Sequence, residues 1–358
     1  MREKVLMTGN EAAAEAAIQA GCRHYYGYPI TPQNEVPAYM SRRMPEIGGT
    51  FIQAESELAA ISMVYGSAAA GARTMTSSSS PGISLKQEGI SYLAGAELPA
   101  VIMNVQRGGP GLGDISGSQS DYFQATRGGG HGDYRTIVLA PASVQETADL
   151  VMEAFDLADL YRIPVLVLSD AIMGQMMEPL TFGEPAKRKL PPKDWALTGA
   201  RGRPMRVVKS FYWLKGDLEA FNEHLAAKHR KIERKEVRYE EVNVRGAEVL
   251  LVAYGTPARI CRETLRRLMP QGAKVGLFRP ITLWPFPSRR LRALSERVKA
   301  VLVVEMSLGQ MVEDVRLAVE GRCPVEFFGR AGGGVPTANQ IEHEIGRILK
   351  RKTARAAG

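Results

Sequence analysis

The first 180 residues alternate between short apolar or aromatic runs and longer segments with helical spacing. The short runs predict strands at residues 23–28, 50–53, 74–77, 100–104 and 164–168. The longer segments predict helices at residues 10–21, 32–43 and 56–70, after residue 82, and at residues 144–160. Short buried strands that alternate with helices are typical of a parallel sheet with helices on both faces. The pattern therefore predicts an α/β fold.

The alternation stops near residue 181 and resumes after residue 245. Residues 181–245 combine loop-like stretches with one highly charged helical stretch at 218–238, so we interpret them as a charged connecting segment. Four further strands, separated by helices, are predicted at residues 249–253, 275–277, 301–304 and 325–328. We therefore predict an α/β domain over residues 1–180 and a smaller one over residues 246–350, a size within the usual domain range.

Composition is that of an ordinary globular chain. Of the 358 residues, 45% are hydrophobic and 23% are charged, which leaves ample material for a core. No apolar run approaches the roughly 18–20 residues that cross a bilayer, and the N-terminus lacks the apolar part of a signal peptide. A cytoplasmic protein without membrane contact is expected. Cys22, Cys261 and Cys323 are too few and too scattered to hold an iron–sulfur cluster or a structural zinc ion.

Charge divides the chain into an acidic front and a basic back. Residues 1–180 carry 11 Lys and Arg against 19 Asp and Glu, whereas residues 181–358 carry 35 against 19. A basic region can face nucleic acid, an acidic protein or a phosphorylated cofactor, or it can simply be solvated. Nucleic acid is disfavoured because the cations of residues 230–241 alternate with Glu and no base-stacking motif accompanies them.

Polar residues that could carry chemistry follow the predicted strands. Tyr28-Pro-Ile-Thr-Pro32 ends the first strand, at the edge where open α/β sheets bind ligands, so Thr31 is a candidate substrate contact. An ordinary helix-start loop is the alternative. Gln53-Ala-Glu-Ser-Glu57 places two carboxylates before an apolar helix. They could cap that helix, or one of them could be buried and share a proton with a ligand nitrogen.

Two further loops are rich in serine and glycine. Thr76-Ser-Ser-Ser-Ser-Pro-Gly82 places hydroxyl groups at a helix start but lacks the lysine of a P-loop, so loop packing and ligand binding are both open. Arg107 follows a buried strand and opens the glycine-rich stretch 108–113. It could bind a carboxylate or lie solvated in a turn. His131, in another glycine-rich loop, is either a base or a structural histidine.

Several common signatures are missing. The chain has no GxGxxG after its first strand, which disfavours a nicotinamide-dependent dehydrogenase. No Ser-His-Asp signature, HExxH motif or calcium loop is present. The Gly-Asp pairs that begin at residues 113, 132 and 216 are not followed by glycine, so the Gly-Asp-Gly of a diphosphate-bound magnesium site is also missing. A non-catalytic scaffold remains an alternative if Glu57 lies outside a binding site.

Taken in order, these segments resemble the α subunit of 2-oxoacid:ferredoxin oxidoreductases. The back half continues the resemblance with Leu277-Phe-Arg-Pro-Ile-Thr-Leu-Trp-Pro-Phe-Pro287 and Glu305-Met-Ser-Leu-Gly-Gln310. The chain is most similar to the branched-chain type, which acts on 2-ketoisovalerate. In the front half the matching strings are Gly9-Asn-Glu-Ala12, Tyr28–Pro32, Gln53–Glu57, Thr76–Gly82, Arg107–Gly113 and Pro141-Ala-Ser-Val-Gln145.

The resemblance implies a fold and a reaction. It implies a parallel-sheet domain of the thiamine pyrimidine-binding type, followed by a smaller domain like the C-terminal domain of transketolase. The enzymes oxidatively decarboxylate a 2-oxo acid to acyl-coenzyme A and CO₂, with electrons passed to ferredoxin. Thiamine diphosphate is shared with a β subunit that holds its diphosphate and Mg²⁺, and γ and δ (ferredoxin-like) subunits carry 4Fe–4S clusters. This chain alone should be inactive.

The resemblance also assigns roles to individual residues. Glu57 would be the catalytic carboxylate that hydrogen-bonds the pyrimidine N1′ of thiamine diphosphate, a cofactor whose chemistry the protein tunes. Tyr28 and Ser79 would also contact the cofactor. Thr31 and Arg107 would hold the carboxylate and carbonyl of the substrate.

The loop after Arg107 bears on substrate choice. Relatives that act on 2-oxoglutarate carry a basic residue there, which could pair with a second carboxylate. In this chain residues 111–117 contain no cation and one acid, Asp114, which we assign to the substrate site. An anionic distal group would be repelled there, so a neutral branched substrate is favoured and 2-oxoglutarate is the alternative.

Overall fold

The computed structural model describes residues 4–183 and 188–356, with the backbone alone described for residues 351–356. Residues 1–3 of the predicted first domain and residues 184–187 of the predicted connecting segment lie outside the described residues. The described part contains these strands: β1 (Val5–Thr8), β2 (His24–Gly27), β3 (Thr50–Gln53), β4 (Thr74–Ser78), β5 (Ala100–Gly108), β6 (Asp114–Gly117), β7 (Ile137–Leu139), β8 (Pro164–Asp170), β9 (Met177–Leu180), β10 (Tyr239–Val242), β11 (Val249–Val252), β12 (Val275–Pro280), β13 (Thr282–Trp284), β14 (Ala300–Glu305) and β15 (Val325–Gly329).

The helices surround these strands. They are α1 (Gly9–Gln19), α2 (Glu35–Glu46), α3 (Glu57–Ala69), α4 (Ser80–Gly95), α5 (Val144–Tyr161), α6 (Ala171–Gln175), α7 (Asp217–Lys235), α8 (Gly255–Leu268), α9 (Ser288–Ser295), α10 (Met311–Val319) and α11 (Ala338–Ala356). No helix in the described ranges is both long enough and apolar enough to cross a membrane.

The larger sheet has the order β13-β7-β8-β5-β4-β2-β3, and β6 pairs with β5 at its end. Neighbouring strands from β7 to β3 run parallel, whereas β13 and β6 are antiparallel additions. All residues of the central strands β4, β5 and β8 are buried, as expected for parallel strands covered by helices on both faces. Parallel strands bring the loops that follow β2, β3, β4 and β5 to one edge of the sheet.

The smaller sheet has the order β10-β12-β11-β14-β15, with β10 antiparallel to its neighbour. One face joins the main hydrophobic core of the molecule. The other face packs against α8 and against Ile341, Ile345 and Ile348 of α11. The spacing of these isoleucines places them on one side of that helix.

The two sheets are physically joined. Strand β13 lies in the back half of the sequence but pairs with β7 of the larger sheet. Arg279, buried on β12, donates two hydrogen bonds to Glu146 of α5, with N–O distances of 2.8 and 2.6 Å. Thr256 of α8 donates to Asp170 at the end of β8. Hydrogen bonds from charged and hydroxyl side chains thus link the elements of one sheet to those of the other.

The predicted alternation of strands and helices is confirmed, with differences at the margins. The charged helix predicted over residues 218–238 is α7, Asp217–Lys235, and ends three residues earlier. The short strands β1, β6, β7, β9, β10 and β13 and the helices α6 and α11 were not predicted. The boundaries at residues 180 and 245 stay predictions, and β10, from the predicted connecting segment, is the edge strand of the smaller sheet.

Candidate functional site

The predicted site residues lie at the carboxyl edge of the larger sheet. Tyr28 and Thr31 follow β2, Glu57 follows β3, Ser79 follows β4 and Arg107 is near the end of β5. Asp114 begins β6, which pairs back onto β5. The topology therefore brings all six to one side of the molecule, where open α/β sheets bind their ligands.

Glu57 is a buried carboxylate at the start of a helix. Ser56 is the N-cap of α3, and its hydroxyl oxygen accepts a hydrogen bond from the backbone N–H of Ala59 at 3.2 Å. The capping role is therefore filled by Ser56, and the side chain of Glu57, 5% exposed, points inward. Glu55, two residues earlier, is exposed. The helix N-terminus favours a negative charge at Glu57.

The first turn of α4 lies directly against this carboxylate. A Cβ atom added to Gly82 would lie 2.3 Å from Oε1 of Glu57 and 2.1 Å from Oγ of Ser78, so only glycine fits there. One turn later, Nζ of the fully buried Lys86 lies 3.4 Å from the backbone carbonyl oxygen of Glu57. Burial lowers the pKa of Lys86 to about 8, although the nearby Glu57 charge acts in the opposite direction.

The serine-rich loop supplies unpaired hydroxyl groups. In the part of the chain that the structure describes, the hydroxyl oxygens of Thr76, Ser78 and Ser79 are buried and have no hydrogen-bond partner. Ser79 is the N-cap of α4, yet its side chain makes no capping hydrogen bond. Buried polar atoms are almost always hydrogen-bonded in folded proteins. A packing role and a ligand-binding role for this loop therefore both stay open.

Arg107 joins two loops and keeps one donor free. It is 6% exposed, so the solvated-turn alternative is wrong. Its Nη1 donates to the carbonyl oxygen of Thr31 and its Nη2 to that of Leu112, both at 2.9 Å. Its Nε is buried and has no partner among the described residues. The guanidinium group therefore holds the Thr31 loop in place, and its Nε is a donor without a partner in the described part of the chain.

Tyr28 is held through its backbone. Its carbonyl oxygen accepts a hydrogen bond of 3.2 Å from Nε2 of Gln33, and Oε1 of Gln33 accepts one from the Ser77 hydroxyl. The Tyr28 ring, by contrast, is 37% exposed. The loop after β2 is thus tied to β4 while the Tyr28 ring remains accessible to a ligand or a partner chain.

Asp114 lies beside Arg107 in the strand pairing. It is exposed and faces Gly108 across the β5–β6 ladder. Its Oδ1 accepts a hydrogen bond from the backbone N–H of Ser116 at 3.3 Å. A Cβ atom on Gly333 would lie 2.7 Å from Oδ2 of Asp114, so a loop after β15 approaches this carboxylate closely.

Two residues at this edge, Asp121, which is partly buried, and Lys86, which is fully buried, escaped sequence reasoning. Asp121 accepts hydrogen bonds from Oγ of Ser80 at 2.6 Å and from Nδ2 of Asn104 at 2.8 Å. Burial raises the pKa of Asp121, while these two hydrogen bonds oppose the shift. The other residue, Lys86, could have been found from the sequence, because it lies four residues after Gly82 and therefore on the same face of α4. His131, which sequence reasoning did single out, is exposed.

Exposed apolar side chains surround the carboxyl edge. They come from the loops and helices that carry the site residues. A contiguous patch of such side chains is typical of a surface that another molecule covers. The exposed fractions are Tyr28 37%, Ile52 39%, Leu58 49%, Leu85 57%, Leu112 83% and Ile115 59%.

A cavity is found elsewhere in the molecule. It has a volume of about 1000 Å³ and is lined by residues such as Arg259, Glu240 and Thr337, and none of the six predicted site residues lines it. In the described ranges, no group of three or more His, Cys, Asp or Glu side chains is placed to hold a metal ion. Cys22, Cys261 and Cys323 are buried and form no disulfide.

Comparison with known proteins identifies the class. The family described as pyruvate flavodoxin/ferredoxin oxidoreductase, thiamine diP-binding, matches residues 15–241. The family described as pyruvate:ferredoxin oxidoreductase core domain II matches residues 247–341. The chain therefore belongs to the family of 2-oxoacid:ferredoxin oxidoreductase subunits, and its class of enzyme is the oxidoreductases. The resemblance found in the sequence motifs and the predicted fold class are both confirmed.

Individual relatives refine this picture. The chain is 52% identical to the ketoisovalerate oxidoreductase subunit VorB of Methanothermobacter thermautotrophicus, over 96% of this chain and 97% of that one. It is 41% identical to the 2-oxoglutarate synthase subunit KorA of Archaeoglobus fulgidus, over 91% and 95%. The 2-oxoglutarate:ferredoxin oxidoreductase of Magnetococcus marinus, solved with 2-oxoglutarate, coenzyme A and succinyl-CoA, superimposes with a TM-score of 0.87 at 26% identity. That alignment covers 97% of this chain and 66% of the other.

Proposed function

We propose that this chain supplies the pyrimidine-binding side of a thiamine diphosphate site in a 2-oxoacid:ferredoxin oxidoreductase. The proposed reaction is the oxidative decarboxylation of a branched-chain 2-oxo acid, 2-ketoisovalerate, to acyl-coenzyme A and CO₂, with electrons passed to ferredoxin. The carrying observation is the buried carboxylate of Glu57, packed against Gly82 at the carboxyl edge of the sheet. It lies within the residues matched by the thiamine diphosphate-binding family.

The side chains at this edge fit the cofactor. Glu57 offers a buried carboxyl group that can share a proton with a ring nitrogen, and Ser79 offers a buried hydroxyl that lacks a partner among the described residues. The partly exposed ring of Tyr28 offers an apolar contact. When bound, thiamine diphosphate supplies the carbon nucleophile and the electron sink for decarboxylation. The contribution of Glu57 is to hold a proton at the pyrimidine nitrogen, in surroundings where low dielectric strengthens the hydrogen bond.

Substrate binding falls to the loop that Arg107 organises. Its free Nε donor suits the carboxylate of a 2-oxo acid, because a charge-assisted hydrogen bond is stronger than a neutral one. The Thr31 hydroxyl, half-buried beside it, is the proposed contact for the carbonyl. In this arrangement Arg107 both fixes the Thr31 loop and binds the substrate.

Partner subunits complete the proposed enzyme. The apolar rim around the site suits a β subunit that brings the diphosphate and Mg²⁺. Clusters of the 4Fe–4S type would reside on γ and δ subunits, because the three cysteines of this chain are buried and lie far apart in the sequence. Coenzyme A would enter as co-substrate and ferredoxin as electron acceptor. The names of the relatives, which describe subunits, support a multi-subunit enzyme.

Two observations support a branched-chain substrate. Identity is 52% to the ketoisovalerate oxidoreductase subunit, against 41% and 37% to the 2-oxoglutarate synthase subunits compared. Asp114, exposed beside the end of β5, would repel the distal carboxylate of 2-oxoglutarate. The side chain of 2-ketoisovalerate carries no such charge.

The role of Glu57 is tested in the assembled enzyme, purified anaerobically with its partner subunits. Glu57→Gln should lower coenzyme A-dependent viologen reduction by a factor of about 10² or more, since proton transfer by a positioned group contributes that much. The matched control is Glu55→Gln, because Glu55 is the exposed carboxylate of the same motif. Normal turnover in Glu57→Gln, from a complex that contains thiamine diphosphate, would overturn the assignment.

Substrate choice is tested with 2-ketoisovalerate, 2-oxoglutarate and pyruvate in the same assay. We expect the highest kcat/KM with 2-ketoisovalerate. Asp114→Lys should raise the relative kcat/KM for 2-oxoglutarate, whereas Asp133→Lys, in another exposed glycine-rich loop, should not. Turnover by the unaltered enzyme with 2-oxoglutarate alone would keep the reaction and replace the substrate.

A further inference from the structure

A second exposed apolar surface lies far along the chain from the site residues. Residues 199–216, which we call the aromatic arm, lie between β9 and α7 and contain no helix or strand. Five of its apolar side chains are strongly exposed. Their exposed fractions are Met205 88%, Val207 63%, Phe211 68%, Trp213 83% and Leu214 68%.

The aromatic arm is attached to the body of the protein through the residues between these side chains. Nη1 of Arg206 donates to the carbonyl oxygen of Ala196 at 2.7 Å. Val208 packs against the main core, and the ring of Tyr212 stacks on that of Phe221 at 4.8 Å between centroids. Attached and exposed positions thus alternate, as in an extended segment with one covered face. The other face, with its apolar side chains, is held outward.

Positive charge accompanies this apolar face. Between Asp194 and Asp217 the sequence contains five cations and no acid, namely Arg201, Arg203, Arg206, Lys209 and Lys215. The described part of the chain gives none of these five a carboxylate partner; Lys209, for example, lies over the Tyr212 ring instead. A molecule that covers the aromatic arm must therefore offer both apolar contact and negative charge.

We propose that the aromatic arm is a docking surface for an acidic, apolar face of another protein subunit in the same enzyme. This inference rests on the proposed function in one respect, namely that the enzyme contains other subunits. Exposed Trp and Phe beside unpaired cations are the residue types that dominate the binding energy of protein interfaces. Holding the segment against the body in advance reduces the entropy lost on binding.

Two other occupants fit the arm less well. A symmetric pair of copies would bring two such surfaces together, five unpaired cations against five, which is electrostatically unfavourable. Single-stranded nucleic acid needs open aromatic faces on which bases stack. Here the rings of Phe211 and Trp213 lie 5.8 Å apart at 54° to each other, and the other strongly exposed apolar side chains, Met205, Val207 and Leu214, carry no ring.

The test uses the full chain co-expressed with the other subunits of its complex. One variant, Trp213→Ala/Leu214→Ala, removes apolar contact, and a second, Arg201→Glu/Lys215→Glu, reverses charge. The matched control is Arg316→Glu/Leu317→Ala, a comparable exposed pair on α10. Complex mass is measured by light scattering, and the Kd for the purified partner subunits is measured at about 50 and about 300 mM salt, a range over which charge screening changes strongly. Melting temperatures of the free variants verify folding.

The unaltered chain and the control should assemble alike. We expect Trp213→Ala/Leu214→Ala to raise the Kd at least about tenfold at both salt concentrations. The charge-reversed variant should be weakened mostly at low salt. Equal assembly of all variants, or no assembly of the unaltered chain, would overturn the docking surface.

Two further results would assign the surface to another occupant and so overturn the proposal. One is a dimer of the isolated chain that the arm variants dissociate. The other is binding of a labelled single-stranded RNA that only the arm variants lose. An assembled complex that depends on the arm but oxidises no 2-oxo acid would overturn the proposed function and keep the docking surface. A fully active complex that assembles equally well in every variant would overturn the docking surface and keep the proposed function.

Discussion

At the scale of single residues, the candidate site is defined by which polar groups are buried and which of them have partners. Glu57 and Lys86 are both buried next to the glycine-containing first turn of α4, and their only described hydrogen-bonded link is Nζ to a backbone carbonyl. An ammonium group without a full set of acceptors is costly to bury. Lys86 is therefore retained at a cost in stability.

Because of this cost, we expect Lys86→Met to raise the free energy of unfolding by an amount that depends on pH. Burial lowers the pKa of Lys86 from 10.5 to about 8, so between these values the unfolded chain binds more protons than the folded one. Lysine therefore destabilises the fold fully below pH 8, and the penalty fades as the pH rises toward 10.5. Lys86→Met should raise the free energy of unfolding by about 2–3 kcal/mol at neutral pH, and the gain should shrink in alkali.

Urea unfolding of the isolated chain at several pH values measures this difference. Lys215→Met is the control, because Lys215 is exposed and its removal should give a small, pH-independent change. A constant difference between Lys86→Met and the unaltered chain across the alkaline range would show that the ammonium charge is not the cause.

At the scale of elements, α7 shows how a charged helix docks on the body. Only Leu225 and Ile232 of its residues are fully buried. Nζ of Lys228 donates to Oε1 of Glu97 at 2.8 Å, and the His229 ring meets the Trp284 ring edge-on at 5.6 Å between centroids. The helix is thus held by a few specific contacts rather than by a broad apolar stripe.

One of these contacts makes the docking of α7 sensitive to acid. Burial, with the nearby charge of Lys228, lowers the pKa of His229 from 6.5 to about 4. As the pH falls between these values the unfolded chain binds the proton first, so stability decreases. On acidification the unaltered chain should lose up to about 2 kcal/mol of its free energy of unfolding through His229, and His229→Leu should abolish that loss.

Melting temperatures between neutral pH and about pH 4.5 test this expectation, since ordinary histidine titrates in that window. His131→Leu serves as the control because His131 is exposed. If His229→Leu and the unaltered chain lose the same number of degrees, the histidine does not contribute to acid sensitivity.

At the scale of the whole molecule, charged side chains connect the two sheets. Arg279 is 2% exposed, and its guanidinium group bonds Glu146 twice and Glu240 once. Gln119 adds a polar crossing, because its Nε2 donates to the Tyr254 carbonyl and its Oε1 accepts from the N–H of Met306. The sheets are therefore expected to unfold together.

Arg279→Ala should destabilise the whole chain by about 2–4 kcal/mol, because it removes a large buried side chain and leaves Glu146 without its arginine partner, while Glu240 keeps Arg262. Arg266→Ala, which removes an exposed arginine paired with Glu263, should cost at most about 1 kcal/mol. Chemical denaturation followed by both fluorescence and circular dichroism measures the two variants. Separate transitions for the two probes in the unaltered chain would contradict joint unfolding.

Whether the sequence predicts an element depends on whether that element forms through a local pattern or through contacts with other parts of the chain. Strands β5 and β8 are predictable because each begins with a continuous apolar run and is buried along its whole length. Strands such as β6 and β10 are not, since they are four residues long and largely polar. Strand β6 exists because the chain turns back onto β5, and β10 exists through pairing with the distant strand β12. The helix α11 could have been found from the spacing of its buried isoleucines.

The site shows the same limit. Motif order places Glu57 and Arg107 at one edge of the sheet, but spacing alone leaves open whether each is buried. The contact between Lys86 and Glu57 spans 29 residues and that between Asn104 and Asp121 spans 17, and neither follows a repeating pattern. Such contacts depend on the packing of whole elements, which the sequence does not specify locally.

The pairing of β13 with β7 has a consequence for synthesis on the ribosome. Until residues Thr282–Trp284 have emerged, β7 is the outer strand of the larger sheet and its backbone groups on that side are unpaired. An open strand edge is where nascent chains associate wrongly. After the front half has been made, about a hundred more residues must be synthesised before β13 can pair with this edge of β7. Fragments that stop at the connecting segment should therefore be prone to aggregation.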